Sequence, residues 1–71
     1  MKTKKYFIKN VNTGQYLLSY DSTIHGRLGT SQTIYFWDNN LPDIFNSRLE
    51  AENALDESNF GREAEIISYW E

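Results

Sequence analysis

The sequence has no cysteine, one histidine and one proline in 71 residues. Without cysteine there is neither a disulfide nor a thiolate zinc site, and His25 alone cannot build an imidazole cluster for a metal. No apolar run approaches the roughly 20 residues that a membrane-spanning helix needs, and the N-terminus lacks the apolar stretch of a signal peptide. We therefore expect a cytoplasmic protein with no membrane association, no metal and no other cofactor.

The chain is also short for the amount of aromatic surface that it carries. This length predicts one domain, residues 1–71, and such chains bury only about 60% of the surface that their unfolded state exposes. Aromatic residues nevertheless make up 15% of the chain. Because so small an interior holds few large rings, part of this surface is expected to lie in an interface, with another protein or in a homodimer.

Charge is distributed unevenly along the chain. The formal net charge is −3, and four of the seven basic residues fall within the first nine positions. From Asp38 onward the balance is −7. An acidic half repels phosphate and attracts basic surfaces, so direct contact with nucleic acid is not expected. The alternative is that these acids only keep a small domain soluble.

Content of β-branched and aromatic residues, together with alternation over residues 15–20, predicts strands over residues 5–9, 15–20, 33–37 and 64–70. Asn12 and Gly14 predict a tight hairpin turn between the first two strands. Residues 21–31 are rich in glycine and small polar residues, which predicts a loop, with a short strand over 24–28 as the alternative. The predicted order is ββ(β)βαβ.

One helix is expected between the third of these strands and the last. Ser47 and Glu50 fit a capping box, in which the glutamate reaches back to the cap, so the helix begins near residue 48. Asn59 or Gly61 ends it. Ala51 and Ala54 are small enough to let it lie close on a sheet. The predicted fold class is α+β: a small antiparallel sheet of three to five strands with one α-helix on one face.

Catalytic chemistry is not expected. His25 has only Asp21, Ser22 and Thr23 as polar neighbours in sequence, and a nucleophile, a base and an orienting group must converge in a pocket that so small a sheet hardly offers. Acidic pairs on the helix lack the glycine-containing acidic loop of calcium sites. We predict no catalytic residue and no metal ligand.

Binding to a protein is the function that the composition favours. The third strand carries large residues on both faces, so neither face is a purely solvent-facing surface. Leu49 falls on the polar side of the helix, where burial does not explain it. Exposed aromatic residues rimmed by acids are typical of protein-binding patches. The predicted partner-binding residues are Tyr35, Trp37, Leu49, Glu50, Asn53, Glu57 and Trp70. The alternative for each aromatic residue is that it packs in the small core of the protein itself.

A second hypothesis concerns the segment from His25 to Gly29. Glycines let backbone amides approach an anion, and Arg27 supplies positive charge. The Lys-Ser/Thr pair and the following helix of a true P-loop are absent, which favours a flexible turn. The alternative function is a nucleotide sponge that captures its ligand at a dimer interface. Its binding residues would be His25, Gly26, Arg27 and Gly29.

Short segments along the chain also form a pattern. They are Tyr6-Phe7-Ile8-Lys9-Asn10, Thr13-Gly14-Gln15-Tyr16, Trp37, Phe45-Asn46-Ser47, Glu50-Ala51-Glu52, Ala54-Leu55 and Glu65-Ile66-Ile67. The pattern resembles small phage and prophage proteins of the ββαβ type. Its motifs are structural and transfer no catalytic or ligand residue to this chain.

The resemblance implies a phage protein that takes over the host or counters its defence. We expect it to inhibit a bacterial defence or nucleic-acid-processing protein by direct protein–protein contact, as anti-CRISPR proteins do. A passive scaffold or regulatory subunit is a third option that the sequence leaves open.

Overall fold

A computed structural model describes residues 2–23 and 31–71 of the chain. Its strands are β1 (Lys4–Asn10), β2 (Tyr16–Thr23), β3 (Ser31–Asp38) and β4 (Ala64–Trp70). Helix α1 (Arg48–Ser58) and a 3-10 turn (Gly61–Glu63) connect β3 to β4. The strands form one antiparallel sheet in the order β3-β2-β1-β4. The predicted α+β class, with one helix on a small antiparallel sheet, is confirmed.

The hairpin turn after β1 depends on one buried polar side chain. Asn10 is 3% exposed, and its Oδ1 accepts hydrogen bonds from the N–H groups of Asn12 (2.8 Å) and Thr13 (3.0 Å). Gly14 has a φ of +77°, a left-handed conformation that glycine adopts without the steric cost of a Cβ atom. Its N–H donates to the Asn10 carbonyl at 2.9 Å. The predicted hairpin is confirmed.

β2 and β3 are longer than the sequence predicts. They pair continuously from Tyr16↔Asp38 to Thr23↔Ser31, so the predicted loop over 21–31 is wrong for residues 21–23 and for residue 31. Strands pair through backbone hydrogen bonds, so polar residues can extend them. Polar side chains can also form cross-strand hydrogen bonds, and Thr33 Oγ1 donates to Asp21 Oδ1 at 3.1 Å. The remaining predicted loop, and the alternative strand over 24–28, lie outside the described residues.

The connection between β3 and α1 contributes to the sheet. Phe45 forms an antiparallel bridge with Tyr6 on the side of β1 that faces β2. The Tyr6 N–H donates to the Phe45 carbonyl at 3.0 Å, and the Phe45 N–H donates to the Tyr6 carbonyl at 2.8 Å. The Asp43 N–H donates to the Leu17 carbonyl of β2 at 2.9 Å. Residues 43–45 therefore sit between β1 and β2 beyond the pair Lys9↔Tyr16.

Both ends of α1 have side-chain or backbone caps. The Glu50 N–H donates to Ser47 Oγ at 3.2 Å, which confirms the predicted cap. The Glu50 carboxylate accepts from the Asn46 N–H at 3.0 Å, one residue before the predicted donor, the N–H of Ser47. Asn59 ends the helix with a φ of 63°. Within the described residues, no helix has the length and apolar character that crossing a membrane requires.

The core lies between α1 and one face of the sheet. Its buried apolar members are Ile8, Leu17, Ala51 and Ala54. α1 packs mainly over β1 and β4. The small side chains of Ala51 and Ala54 let the helix backbone approach the strands closely, as the sequence predicts.

Candidate protein-binding surface

The face of the sheet opposite α1 carries large apolar side chains from every strand. The pair Lys9↔Tyr16 places Phe7 on the same face as Tyr16, because side chains alternate along a strand. Pairing then adds Ile67 opposite Phe7 and Phe36 opposite Leu18. We call this surface the aromatic face. It consists of Phe7, Tyr16, Leu18, Tyr20, Ile34, Phe36, Ile44, Ile67 and Tyr69.

Ile44 joins the aromatic face through the bridge between β1 and β2. Phe45 pairs with Tyr6 and packs with it against the core. Its neighbour Ile44 therefore points to the other side of the sheet, where 47% of its surface is exposed.

Rings on the aromatic face contact one another across the strands. The ring centroid of Phe7 lies 5.7 Å from that of Tyr16 and 5.9 Å from that of Tyr69, with the planes inclined by 68° and 56°. Tyr20 and Phe36 form an edge-to-face pair at 5.8 Å. Such pairs hold their rings in defined orientations. Five of the nine side chains of the face therefore contact another ring on the same face.

The aromatic face has no second layer among the described residues. Their single α-helix lies on the opposite face, together with the buried core. Tyr20 is 52% exposed, and the other strand residues of the face are half-buried. In an antiparallel sheet with one face on the core, the residues on the solvent-facing side are normally polar. The aromatic face departs from this rule, since all four strands contribute large apolar side chains to it.

Charged side chains of both signs lie on the same side of the sheet as the aromatic face. Lys5 and Lys9 of β1 lie on it, as does Glu65 opposite Lys9. Lys5 Nζ contacts the Asn46 side chain and lies 4.0 Å from Glu71 Oε2. A surface with charges of both signs is more complementary to another protein than to a phosphate backbone, which presents one sign of charge.

Asp38 adds a negative charge at the end of β3. The backbone N–H groups of Leu41 and Asn40 donate to its Oδ2 at 2.8 and 2.9 Å. These hydrogen bonds favour the carboxylate and lower the pKa of Asp38. Asp38 therefore remains charged over the physiological pH range.

Two of the predicted partner-binding residues lie on the helix side of β3. Tyr35 and Trp37 are half-buried and pack against the core. The Tyr35 hydroxyl donates to Glu57 Oε2 at 2.7 Å, and the Trp37 ring stacks at 35° on Phe60 with centroids 5.0 Å apart. Trp37 Nε1 is buried without a hydrogen-bond partner among the described residues.

The other predicted residues occupy two separate places. Leu49, Glu50 and Asn53 are exposed on α1, with Leu49 66% exposed in the first turn of the helix. Trp70 is 63% exposed near the end of β4, and Lys4 Nζ lies 5.7 Å from its ring centroid. β3 and β4 are opposite edges of the sheet. The structure thus brings Tyr35 and Glu57 together and leaves Trp70 apart from them.

The alternative ligand site cannot be placed. His25, Gly26, Arg27 and Gly29 all lie outside the described residues, so nucleotide capture stays a hypothesis. Across residues 2–23 and 31–71, no group of three or more acidic or histidine side chains is arranged to hold a metal ion.

Sequence reasoning missed most of the aromatic face, although one signal pointed to it. Phe7, Tyr16, Phe36 and Ile67 belong to predicted strands, but the sequence does not single out any of them as a contact residue. The signal is that predicted strands carry large apolar residues on both faces while the sequence predicts one helix. One helix covers one face, so the other must remain uncovered or meet a partner.

Tyr35 is expected to ionise only at strongly alkaline pH. Partial burial, followed by the hydrogen bond to Glu57 and its negative charge, raises the pKa of Tyr35 from 10.0 to about 12. Because the folded pKa is the higher one, the stabilisation is fully present below pH 10 and is lost as the pH rises through 12. Ultraviolet titration should show one tyrosine that moves to lower pH in Glu57→Gln. A tyrosine titration that is unchanged in that variant contradicts the assignment.

Comparisons with known proteins find no matching family, no similar curated protein and no similar solved structure.

Proposed function

We propose that the chain is a binding protein that acts by covering a surface of another protein with its aromatic face. The observation that supports this is a sheet face built from large apolar side chains, with no second layer over it among the described residues. Aromatic side chains are the commonest anchors of protein interfaces, because they bury a large area and lose little conformational freedom. A sheet face of this kind fits a protein rather than a small molecule, which needs a concave pocket.

The charges on the helix side indicate the chemistry of the partner. α1 carries four acids, Glu50, Glu52, Asp56 and Glu57, and one basic residue, Arg48, which is paired with Glu52 at 3.2 Å. An acidic surface attracts basic proteins over several ångströms and speeds their association. We propose a partner with an apolar contact surface and a net positive charge, as nucleic-acid-binding proteins have.

The resemblance to phage proteins suggests the biological setting. A small protein that covers a functional surface inhibits by occlusion and needs no catalytic group. We therefore propose that the chain is a phage-encoded inhibitor of a bacterial defence or nucleic-acid-processing protein, acting in the host cytoplasm.

Two exposed side chains of the aromatic face offer a direct test. The double variant Tyr20→Glu, Ile44→Glu places two charges on the face, and both positions are about half exposed in the free protein. Leu41→Glu is the matched control, because Leu41 is apolar and 67% exposed and lies outside the aromatic face. Tagged proteins are incubated with bacterial host lysate, and the retained proteins are identified by mass spectrometry.

We expect wild type and Leu41→Glu to retain the same host protein, and the double variant to bind it at least about 100-fold more weakly. Two interface anchors of about 2 kcal/mol or more each account for such a change. Circular dichroism establishes that all three proteins are folded. Equal retention by the double variant would contradict the proposal, as would retention of a nucleotide or nucleic acid with no protein.

A further inference from the structure

The hydrogen bonds between β1 and β4 determine which backbone groups of β4 point outward. The Thr3 N–H donates to the Glu71 carbonyl at 3.3 Å, and the Glu71 N–H donates to the Thr3 carbonyl at 2.9 Å. Hydrogen-bonded and non-hydrogen-bonded pairs alternate along an antiparallel ladder. The register Lys5↔Tyr69 and Phe7↔Ile67 therefore makes these two pairs hydrogen-bonded. The intervening residues of β4 turn their backbone groups away from β1.

These outward groups form the free edge of the sheet. They belong to Ala64, Ile66, Ser68 and Trp70, and no described residue forms a backbone hydrogen bond with them across this edge. Edge strands usually carry a protective device, such as a proline, a lysine or a bulge. β4 has none of these within its continuous register with β1 and has one charged residue, Glu65. Its edge is therefore open to another strand.

We propose that the occupant of this edge is a second copy of the chain, with the two β4 strands paired antiparallel about a two-fold axis at Ile67. In this register Ile66 pairs with Ser68 of the partner subunit, and Ala64 pairs with Trp70 of the partner subunit. The four outward residues of each strand then meet the four of the other. The paired edges form about eight backbone hydrogen bonds.

The sequence of β4 is complementary to itself in this register. Ile67 faces Ile67 of the partner subunit, which joins two apolar side chains on the same face. Glu65 lies opposite Tyr69 of the partner subunit, so no like charges oppose each other. Trp70, which is 63% exposed in one copy, lies opposite the small side chain of Ala64 of the partner subunit.

Shifted registers are less favourable. Centring the pair on Ser68 places Glu65 opposite Glu71 of the partner subunit, and like charges directly opposite destabilise a sheet. Centring it on Ile66 extends the pairing past the start of β4 into the 3-10 turn at Gly61–Glu63, which has no strand conformation. The Ile67-centred register uses the whole strand without either defect.

The dimer would also enlarge the aromatic face. Ile67 and Tyr69 lie at the β4 edge of this face, so the two copies would form one continuous surface across the two-fold axis. The dimer does not depend on the proposed function. A monomeric protein that binds a host protein would refute the dimer alone, and a dimer that binds no protein would refute the proposed function alone.

Single cysteines test the register, because the natural chain has none. At a non-hydrogen-bonded antiparallel pair the two Cα atoms lie about 4.5 Å apart, inside the range of about 4.4–6.8 Å that a disulfide spans. Ile67→Cys should therefore form disulfide dimers rapidly under mild oxidation. Ser68→Cys is the matched control, since the two copies of this residue are offset along the strands, and it should react at least about 10-fold more slowly. Equal rates at both positions contradict the register.

A proline at Ser68 tests the association itself. The Ser68 N–H points to the free edge and is not used between β1 and β4, so Ser68→Pro removes an outward donor without removing an internal one. By light scattering, we expect wild type and Ser68→Ala to be dimers and Ser68→Pro to be a monomer with an unchanged circular dichroism spectrum. A monomeric wild type at every concentration tested overturns the proposal. Should Ser68→Pro fail to fold, the wild-type mass and the cysteine pair still decide the question.

Discussion

Replacing Leu17 by alanine is expected to remove a large part of the stability of the protein. Leu17 and Ile8 are the two largest fully buried side chains of the described residues. Truncating such a leucine costs about 2–5 kcal/mol, because apolar contacts are lost and a cavity remains. A domain of this length has a total free energy of unfolding of roughly 4–10 kcal/mol. At the middle of both ranges, one substitution thus removes about half of it.

Urea denaturation followed by circular dichroism measures this loss. The midpoint of Leu17→Ala should fall sharply while the slope of the transition stays the same. Leu41→Ala is the control, because it removes a similar side chain that is 67% exposed, and it should change the free energy of unfolding by at most about 0.5 kcal/mol. Similar midpoints for the two variants would mean that the core does not lie between α1 and the sheet.

Enlarging Ala51 is expected to separate α1 from the sheet. Ala51 is fully buried on the helix surface that faces the strands. Ala51→Leu adds three carbon atoms where the backbones are in close approach, and overpacking of this kind costs about 1–3 kcal/mol. At about 4–8 °C for each kcal/mol in a domain of this size, the melting temperature should fall by roughly 5–20 °C.

Asn53→Leu provides the matched control for this substitution. It introduces the same side chain into the same helix on the exposed side, where there is room for it. Thermal unfolding should therefore differ clearly between the two variants. A melting temperature that is unchanged in Ala51→Leu would show that the helix does not pack closely on the sheet at this position.

Sequence patterns correctly predict the elements that are stabilised by interactions between residues close together in the chain. The hairpin turn follows from Asn10, Asn12 and Gly14, which interact within a few residues of one another. The helix follows from its Ser47 cap and from the spacing of Ala51 and Ala54. The last strand matches its predicted bounds, Ala64–Trp70, because it is rich in the β-branched and aromatic residues that favour strands.

The elements that the sequence misses depend on distant contacts. Residues 21–23 extend β2 because residues 31–33 pair with them, and polar side chains give no local sign of such pairing. The bridge of Phe45 to Tyr6 likewise joins segments far apart in the chain. A turn-rich segment with one proline gives no indication that it enters a sheet.

The candidate surface was predictable only in part. Large residues at successive positions of β3 show that both faces of the strand are apolar. The sequence therefore allows either face to meet the helix. The sequence analysis predicts Tyr35 and Trp37 of this strand as contacts, whereas Ile34 and Phe36 lie on the aromatic face. Which face α1 covers follows from the tertiary packing of the helix, and a single strand contains no information about that.

A photoreactive side chain on the aromatic face tests the central claim most directly, because it records contacts of the intact protein inside the host cell. A benzophenone amino acid is placed at Tyr20, which is 52% exposed on this face, or at Leu41, which is 67% exposed outside it. After irradiation we expect position 20 to form a covalent adduct with one host protein and position 41 to form none with it. No host adduct from position 20, or the same adduct from both positions, would contradict the account.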